Sequence, residues 1–173
     1  ILGQIGLSQG ACLLTEVMTL NRLIAPAAEL AMPDWVRRTA LADILQKDFR
    51  PLSEAPLYRN LDRLYRRRVE IEQALVERER NLFGLTESLY LYDLASTYFE
   101  GQALANPKAR RGYSRDKRPD CKQVVVGLVL DGEGFPKAHE VFAGHRADTT
   151  TVAEMLAALE RRVGKKPGGT VIV

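Results

Sequence analysis

The sequence predicts an α/β chain in which an all-helical region, residues 1–87, precedes a mixed sheet with a crossover helix, residues 88–173. Three observations predict it. Apolar residues recur at helical spacing through the first half, and the spacing changes to that of strands at Ser88. The second half then reads strand, long loop, strand, strand, helix, strand, an order that carries a helix across between strands of one sheet.

The helical half divides at its prolines. From Ala11 to about Ala25, Leu14, Met18, Leu20 and Ile24 predict a helix that ends before Pro26. A second helix begins near Pro33, a residue tolerated in a first turn, where a missing N–H costs nothing. Trp35, Val36, Ala40, Ile44 and Leu45 continue it, and Pro51 closes the segment. Leu57, Leu61 and Leu64 form one stripe of the next helix. After Arg66-Arg67-Arg68, the period continues through Ile71, Leu75 and Leu82 until Gly84 offers a stop. Glu70, Glu72, Glu77 and Glu79 beside the arginines read as a solvated face with local ion pairs.

At Ser88 the pattern changes. Residues 88–94 are rich in strand formers, and in an extended chain Leu89, Leu91 and Asp93 share a face. Burial alone would not put a carboxylate there, so Asp93 either meets a partner or projects at a functional edge. A long basic connection with Gly112 and Pro119 follows. Val124 to Leu130 is an apolar run typical of a central strand with both faces covered. Asp131-Gly132 turns the chain into a return strand from Pro136 to Phe142. Thr151 with Glu154 fits a capping box, with Asp148 helping to cap just before it. Val152, Met155, Leu156, Leu159 and Val163 form the apolar stripe behind, while Glu160, Arg161 and Arg162 face water. Gly164, Pro167, Gly168 and Gly169 end that helix, and Thr170 to Val173 starts another strand.

Composition narrows the class. A hydrophobic fraction of 46% with 27% charged residues is that of a globular chain, not a disordered one. Cys12 and Cys121 stand far apart, which disfavours structural zinc or a disulfide scaffold and fits a reducing cytosolic setting. No stretch approaches the roughly 20 apolar residues that span a bilayer. The chain opens on Ile1 and closes on what reads as a buried strand, so the expectation is a piece of a longer protein; the plainer alternative is a short terminal strand. Net charge is +3, but Lys108 to Lys122 holds seven basic residues against Asp116 and Asp120. That excess suits a phosphate-backbone footprint, and equally a solvated loop.

The longest motifs are Tyr92-Asp93-Leu94-Ala95-Ser96-Thr97-Tyr98-Phe99-Glu100-Gly101 and Arg111-Gly112-Tyr113-Ser114-Arg115-Asp116-Lys117-Arg118-Pro119-Asp120. Gly134-Phe135-Pro136 follows, then Phe142-Ala143-Gly144 with Asp148. In this order they resemble the DDE transposases of bacterial insertion sequences, in the branch with a YDxTSTYFEG first-aspartate motif. Leu30-Ala31-Met32-Pro33-Asp34-Trp35 extends the resemblance into the helical half. Ala95 departs from the family's usual threonine, which removes a hydroxyl beside the implied metal site. His145 stands where asparagine is common and adds a titratable ring.

The resemblance implies an incomplete ribonuclease-H-like catalytic core, truncated before the second catalytic aspartate. It makes Asp93 the first catalytic, metal-binding carboxylate, one of several that would hold two Mg2+ ions in the complete enzyme. Those ions would activate an attacking hydroxyl and stabilise the leaving oxygen in DNA strand cleavage and transfer. The implied partner is double-stranded DNA, as transposon ends and target. The implied assembly is a homodimer or larger, acting on the bacterial nucleoid in the cytoplasm. Arg111, Arg115, Lys117, Arg118 and Lys122 are candidates for gripping phosphates, with Tyr113 stacking on a base. Asp120 is expected to orient the basic loop, Asp131 to open its turn, and His139 and His145 to serve ordinary surface or hydrogen-bonding roles. The expectation is a transposase fragment inactive by itself. The alternatives are another ribonuclease-H-like nuclease or resolvase, and a basic DNA-binding module without catalysis.

Overall fold

The computed structural model describes residues 1–84, 89–164 and 170–172. Ser88, Pro167, Gly168, Gly169 and Val173 of the expectations above lie outside the described residues, as does the Asp148 carboxylate. The chain divides into two compact units, Ile1–Ile71 and Glu72–Val173. Among the described residues no helix is long and apolar enough to cross a membrane.

The first unit is helical. Helix α1, Gln9–Ile24, is capped by Ser8, whose hydroxyl accepts from the Ala11 N–H at 3.3 Å. Its neighbours are α2, Met32–Arg37, α3, Leu41–Ile44, and α4, Glu54–Arg66. Val17, Val36, Leu41 and Phe49 make one apolar cluster, and Met18, Met32 and Leu57 another. The single helix expected from Pro33 to Leu45 is broken between α2 and α3. The Thr39 hydroxyl donates to the Val36 carbonyl at 2.8 Å and accepts from the Leu41 N–H at 3.4 Å. It thus offers the backbone local partners that compete with the helical ladder. On α4 the buried pair is Leu57 and Asn60, not the expected leucine stripe, and Leu61 is exposed. The buried Asn60 amide donates to Thr15 Oγ1 at 2.9 Å and the Ala11 carbonyl at 3.3 Å, a polar tie from α4 to α1.

Helix α5, Arg68–Phe83, ends where Gly84 adopts φ +61° and returns its N–H to Arg80, as the glycine predicted. Its charged residues behave otherwise than expected. Leu75 and Leu82 are exposed, while Glu72 and Glu79 reach into the second unit's interior.

That unit holds β1, Leu89–Tyr98, β2, Gln123–Asp131, β3, Pro136–Ala143, α6, Asp148–Val163, and β4, Thr170–Ile172. The sheet order is β3-β2-β1-β4. β1–β2 and β2–β3 pair antiparallel and β1–β4 parallel, so α6 makes the crossover and the element order matches the prediction. An N-terminal helical region followed by a small open mixed sheet with a crossover helix is an α/β arrangement.

One face of the sheet packs on α6. Tyr90, Tyr92, Leu94, Val125, Val129, Ala138 and Phe142 meet Met155 and Leu159 there. Gly127 is needed at the centre, since a Cβ would come within 2.9 Å of the Phe142 ring and 3.1 Å of Tyr92. β2 was expected to be covered on both faces, but Leu128 is 38% exposed because α6 lies on the other side of the sheet. The capping-box expectation at Thr151 also fails. α6 begins three residues earlier, and the buried Thr151 hydroxyl bonds Tyr92 Oη at 2.8 Å, while Glu154 pairs with Arg146 at 2.5 Å. Asp131 does build its turn, accepting from the Glu133 and Phe135 N–H groups at 3.0 and 2.8 Å.

Arg162 was expected to face water and is instead buried. Its guanidinium meets Glu72 at 2.5 Å and Glu140 at 3.2 Å, and Glu72 also binds His139. The fully buried Lys137 ammonium meets Glu79 at 2.8 Å and Asp131 at 3.1 Å. Buried cations on β3 and α6 require counterions, and α5 supplies two of them. Burial pushes the Glu72 carboxyl up, but hydrogen bonds from His139 and Arg162 outweigh it and hold the group below the ordinary glutamate value. A depressed carboxylate stabilises the fold above its unfolded pKa, and that contribution is lost as pH falls through the depressed value. Unfolding measured against pH should therefore show stability falling below about pH 4.3. Glu72→Gln should shrink that acid limb and lower neutral-pH stability by about 3 kcal/mol. An unchanged acid limb in E72Q would contradict this.

Candidate functional site

Asp93 occupies the middle of β1, in register with Leu128 of β2. Because strand side chains alternate, burial of Tyr90, Tyr92 and Leu94 leaves Leu91, Asp93 and Ala95 on the exposed face. Asp93 Oδ1 accepts from the Leu94 N–H at 2.8 Å. No basic side chain pairs with it among the described residues. On the other side of β1, β4 runs parallel with Leu89 beside Thr170, Tyr90 beside Val171 and Leu91 beside Ile172. Among the described residues no group of three or more His, Cys, Asp and Glu side chains is placed to hold a metal ion. Magnesium requires near-octahedral oxygen ligands, and one aspartate does not supply such a site.

The basic stretch is a loop, as expected, but it is anchored. Arg110 and Gln123 form a bridge through two backbone hydrogen bonds of 3.1 and 2.9 Å. Ala109 is fully buried, and the Gly144 N–H donates to the Lys108 carbonyl at 3.0 Å. The buried Gln123 amide donates to the Tyr113 and Gly144 carbonyls, both at 2.8 Å, clasping the loop to the turn between β3 and α6. The approach is so close that only glycine fits. A Cβ on Gly112 would lie 2.0 Å from the Gly144 oxygen, and one on Gly144 would lie 2.1 Å from the Gln123 oxygen.

The six loop residues singled out by the sequence fall into different settings. Arg111, Arg115 and Lys117 are exposed, and the Tyr113 ring is 87% exposed. Arg118 is committed to the protein. Its guanidinium chelates Asp120 at 3.0 and 2.9 Å, lies 3.6 Å from Glu100, and sits 5.0 Å from the Tyr98 ring centroid. The hydrogen bond from Arg118 holds the Asp120 carboxyl far below the usual range. Asp120 thus fixes one end of the basic loop through Arg118. Lys122 is half-buried, and its carbonyl accepts from the Phe99 N–H at 2.8 Å.

Tyr113 and Arg115 share a pocket of about 450 Å³ with Leu94, Ala95 and Ser96 of β1, Gln123 and Val125 of β2, and Gly144 to Ala147 with Thr149 at the start of α6. Asp93 does not line it. Leu94, Ser96 and Val125 belong to the sheet face that α6 covers, whereas the Asp93 side chain belongs to the other. Nor do Arg111, Lys117, Arg118 or Lys122 line it. His145 and Arg146 were not singled out as site residues by the sequence. The available signal was a cationic turn ahead of a helix N-terminus, which by itself also describes many solvated turns. His139, by contrast, serves the hydrogen-bonding role expected of it.

Gly144→Ala tests the clasp. The added methyl should destabilise the protein by about 2 kcal/mol or more and release the loop. Denaturant unfolding and protease cutting within residues 108–122 would report both effects; wild-type stability with no new cutting would contradict the assignment.

No protein-family model matches the chain, and no curated protein matches it. Among solved structures it is similar to a Mos1 transposase paired-end complex with left transposon end, at 13% sequence identity and a TM-score of 0.29. The match covers 86% of this chain and 46% of that one, so the chain spans less than half of that protein's length. A TM-score of that size carries neither fold nor function across.

Proposed function

We propose that residues 1–173 are part of a DDE-type DNA transposase, in which β1–β4 and α6 open a ribonuclease-H-like core. The observation that carries this reading is the position of Asp93. It stands at the middle of β1, between an antiparallel hairpin and a parallel crossover strand, with its side chain on the exposed face. The motif resemblance to insertion-sequence transposases, centred on the same residue, supports the finer assignment to the branch with a YDxTSTYFEG motif. The complete protein would bind transposon ends and target duplex, as a homodimer or larger assembly, and cut and join strands with Mg2+. The described residues do not fit a metal centre by themselves. If β4 continued in register, the first residue beyond Val173 would stand beside Asp93, the place a second carboxylate would need.

The basic loop would bind the phosphate backbone through Arg111, Arg115, Lys117 and Lys122, with Arg118 holding the loop in shape. A second reading, a basic DNA-binding module without catalysis, is favoured by the anchoring of that loop, which needs no metal.

Incubating residues 1–173 with supercoiled and linear DNA tests the proposal. The expected result is binding that weakens steeply with salt, with no nicking or joining when Mg2+ is added. Asp93→Asn should leave that binding unchanged. Magnesium-dependent strand transfer by this chain alone would contradict the inactive-part assignment, and absence of binding at low salt would remove the DNA reading altogether.

A further inference from the structure

We infer that the pocket between the basic loop and the start of α6 holds a backbone phosphate of an unpaired DNA strand, with the neighbouring base stacked on Tyr113. This rests on the reading of the chain as DNA-binding and deepens it by naming a place and a strand chemistry. Asp93 does not line the pocket.

The electrostatics favour an anion. Arg115 stands on one wall without an ion pair or side-chain hydrogen bond among the described residues, leaving its guanidinium available for a phosphate. Arg146 also lines the pocket, its guanidinium paired with Glu154 at 2.5 Å and bonded to Thr150, so Arg115 supplies the unpaired cation among the described residues. α6 is 16 residues long and begins at the pocket, and among the described side chains none caps it, which leaves its first N–H groups directed there. On the floor, the Ser96 hydroxyl oxygen is buried without a hydrogen-bond partner. An unsatisfied hydroxyl in a cationic pocket gains from donating to an anionic oxygen.

The geometry favours a strand over a duplex. A volume of about 450 Å³ accommodates a nucleotide-sized group but not a double helix. Tyr113 stacks only on a base that is not already stacked in a duplex. Its carbonyl is held by Gln123, which fixes the backbone that carries the ring at the pocket. A merely solvated basic loop would have no need of the Gln123 clasp or of glycine at both 112 and 144.

The chain's two histidines make the test site-resolved. His145 lines the pocket, whereas His139 is bonded to Glu72 on β3. Imidazole NMR resonances of residues 1–173 would be followed during titration with a short oligothymidylate, and separately with inorganic phosphate, at matched phosphate concentration. The oligothymidylate should shift His145 and leave His139 in place. Arg115→Ala should weaken the affinity read at His145 about tenfold, as expected for loss of one charge-assisted contact. Tyr113→Ala should weaken oligothymidylate binding and leave any phosphate binding unchanged. Equal shifts from inorganic phosphate alone would overturn the strand assignment. Oligothymidylate binding, seen by anisotropy, that does not move His145 or is indifferent to R115A would overturn the pocket while leaving the DNA reading intact. No binding of any DNA would remove both.

Discussion

Burial of Tyr90, Tyr92 and Leu94 beneath α6 fixes the rotation of β1, because a strand's side chains alternate and a slip of one residue would exchange its faces. The rest of the second unit follows from that rotation. Asp93 is turned onto the face away from α6, and Ser96 is turned toward the pocket at the helix start. The Tyr92–Thr151 hydrogen bond locks strand to helix at the same level. Gly127 leaves room for the rings that make this packing possible. The candidate carboxylate and the β1 residues that line the candidate phosphate pocket therefore lie one to three residues apart along one strand, with Asp93 and Ser96 turned to opposite faces.

The ionic cluster at β3 is the second constraint. Glu72, Glu79, Asp131 and Glu140 face Lys137, Arg162 and His139 in a region where the lysine and arginine side chains have no solvent exposure. Charges so placed are costly unless paired on several sides, and removing one partner leaves another stranded. This ties Glu72 and Glu79 of α5 to the sheet by charge, with Phe83 stacked on Phe135 at a 5.3 Å centroid distance.

Element types and their order were legible because local chemistry announced them: a β-branched run at Val124 to Val126, an aspartate–glycine turn at Asp131, and a glycine stop at Gly84. Asp93 could be singled out because a carboxylate within an apolar strand is conspicuous. What escaped the sequence was set by contacts distant along the chain. Arg162 and Glu72 lie 90 positions apart and were each assigned to water, since periodicity counts every charge as solvent-facing. The break at Thr39 turned on one hydroxyl's choice of partner. The anchoring of the basic loop depended on Gln123, whose amide gives no local sign of the two carbonyls it joins. His145 and Arg146 gained a setting only when that loop was folded against their turn.

The described residues offer a carboxylate on an exposed strand face and an anchored cationic loop, and one aspartate cannot organise metal ions. Under the proposed function Asp93 is one of several metal-binding carboxylates, and a strand continuing β4 would bring the next one beside it. The most direct measurement is the coding sequence that follows the Val173 codon. An aspartate is expected in the first position, which the β1–β4 register, if continued, would place beside Asp93. A stop codon, or a continuation without a carboxylate in that position, would contradict it.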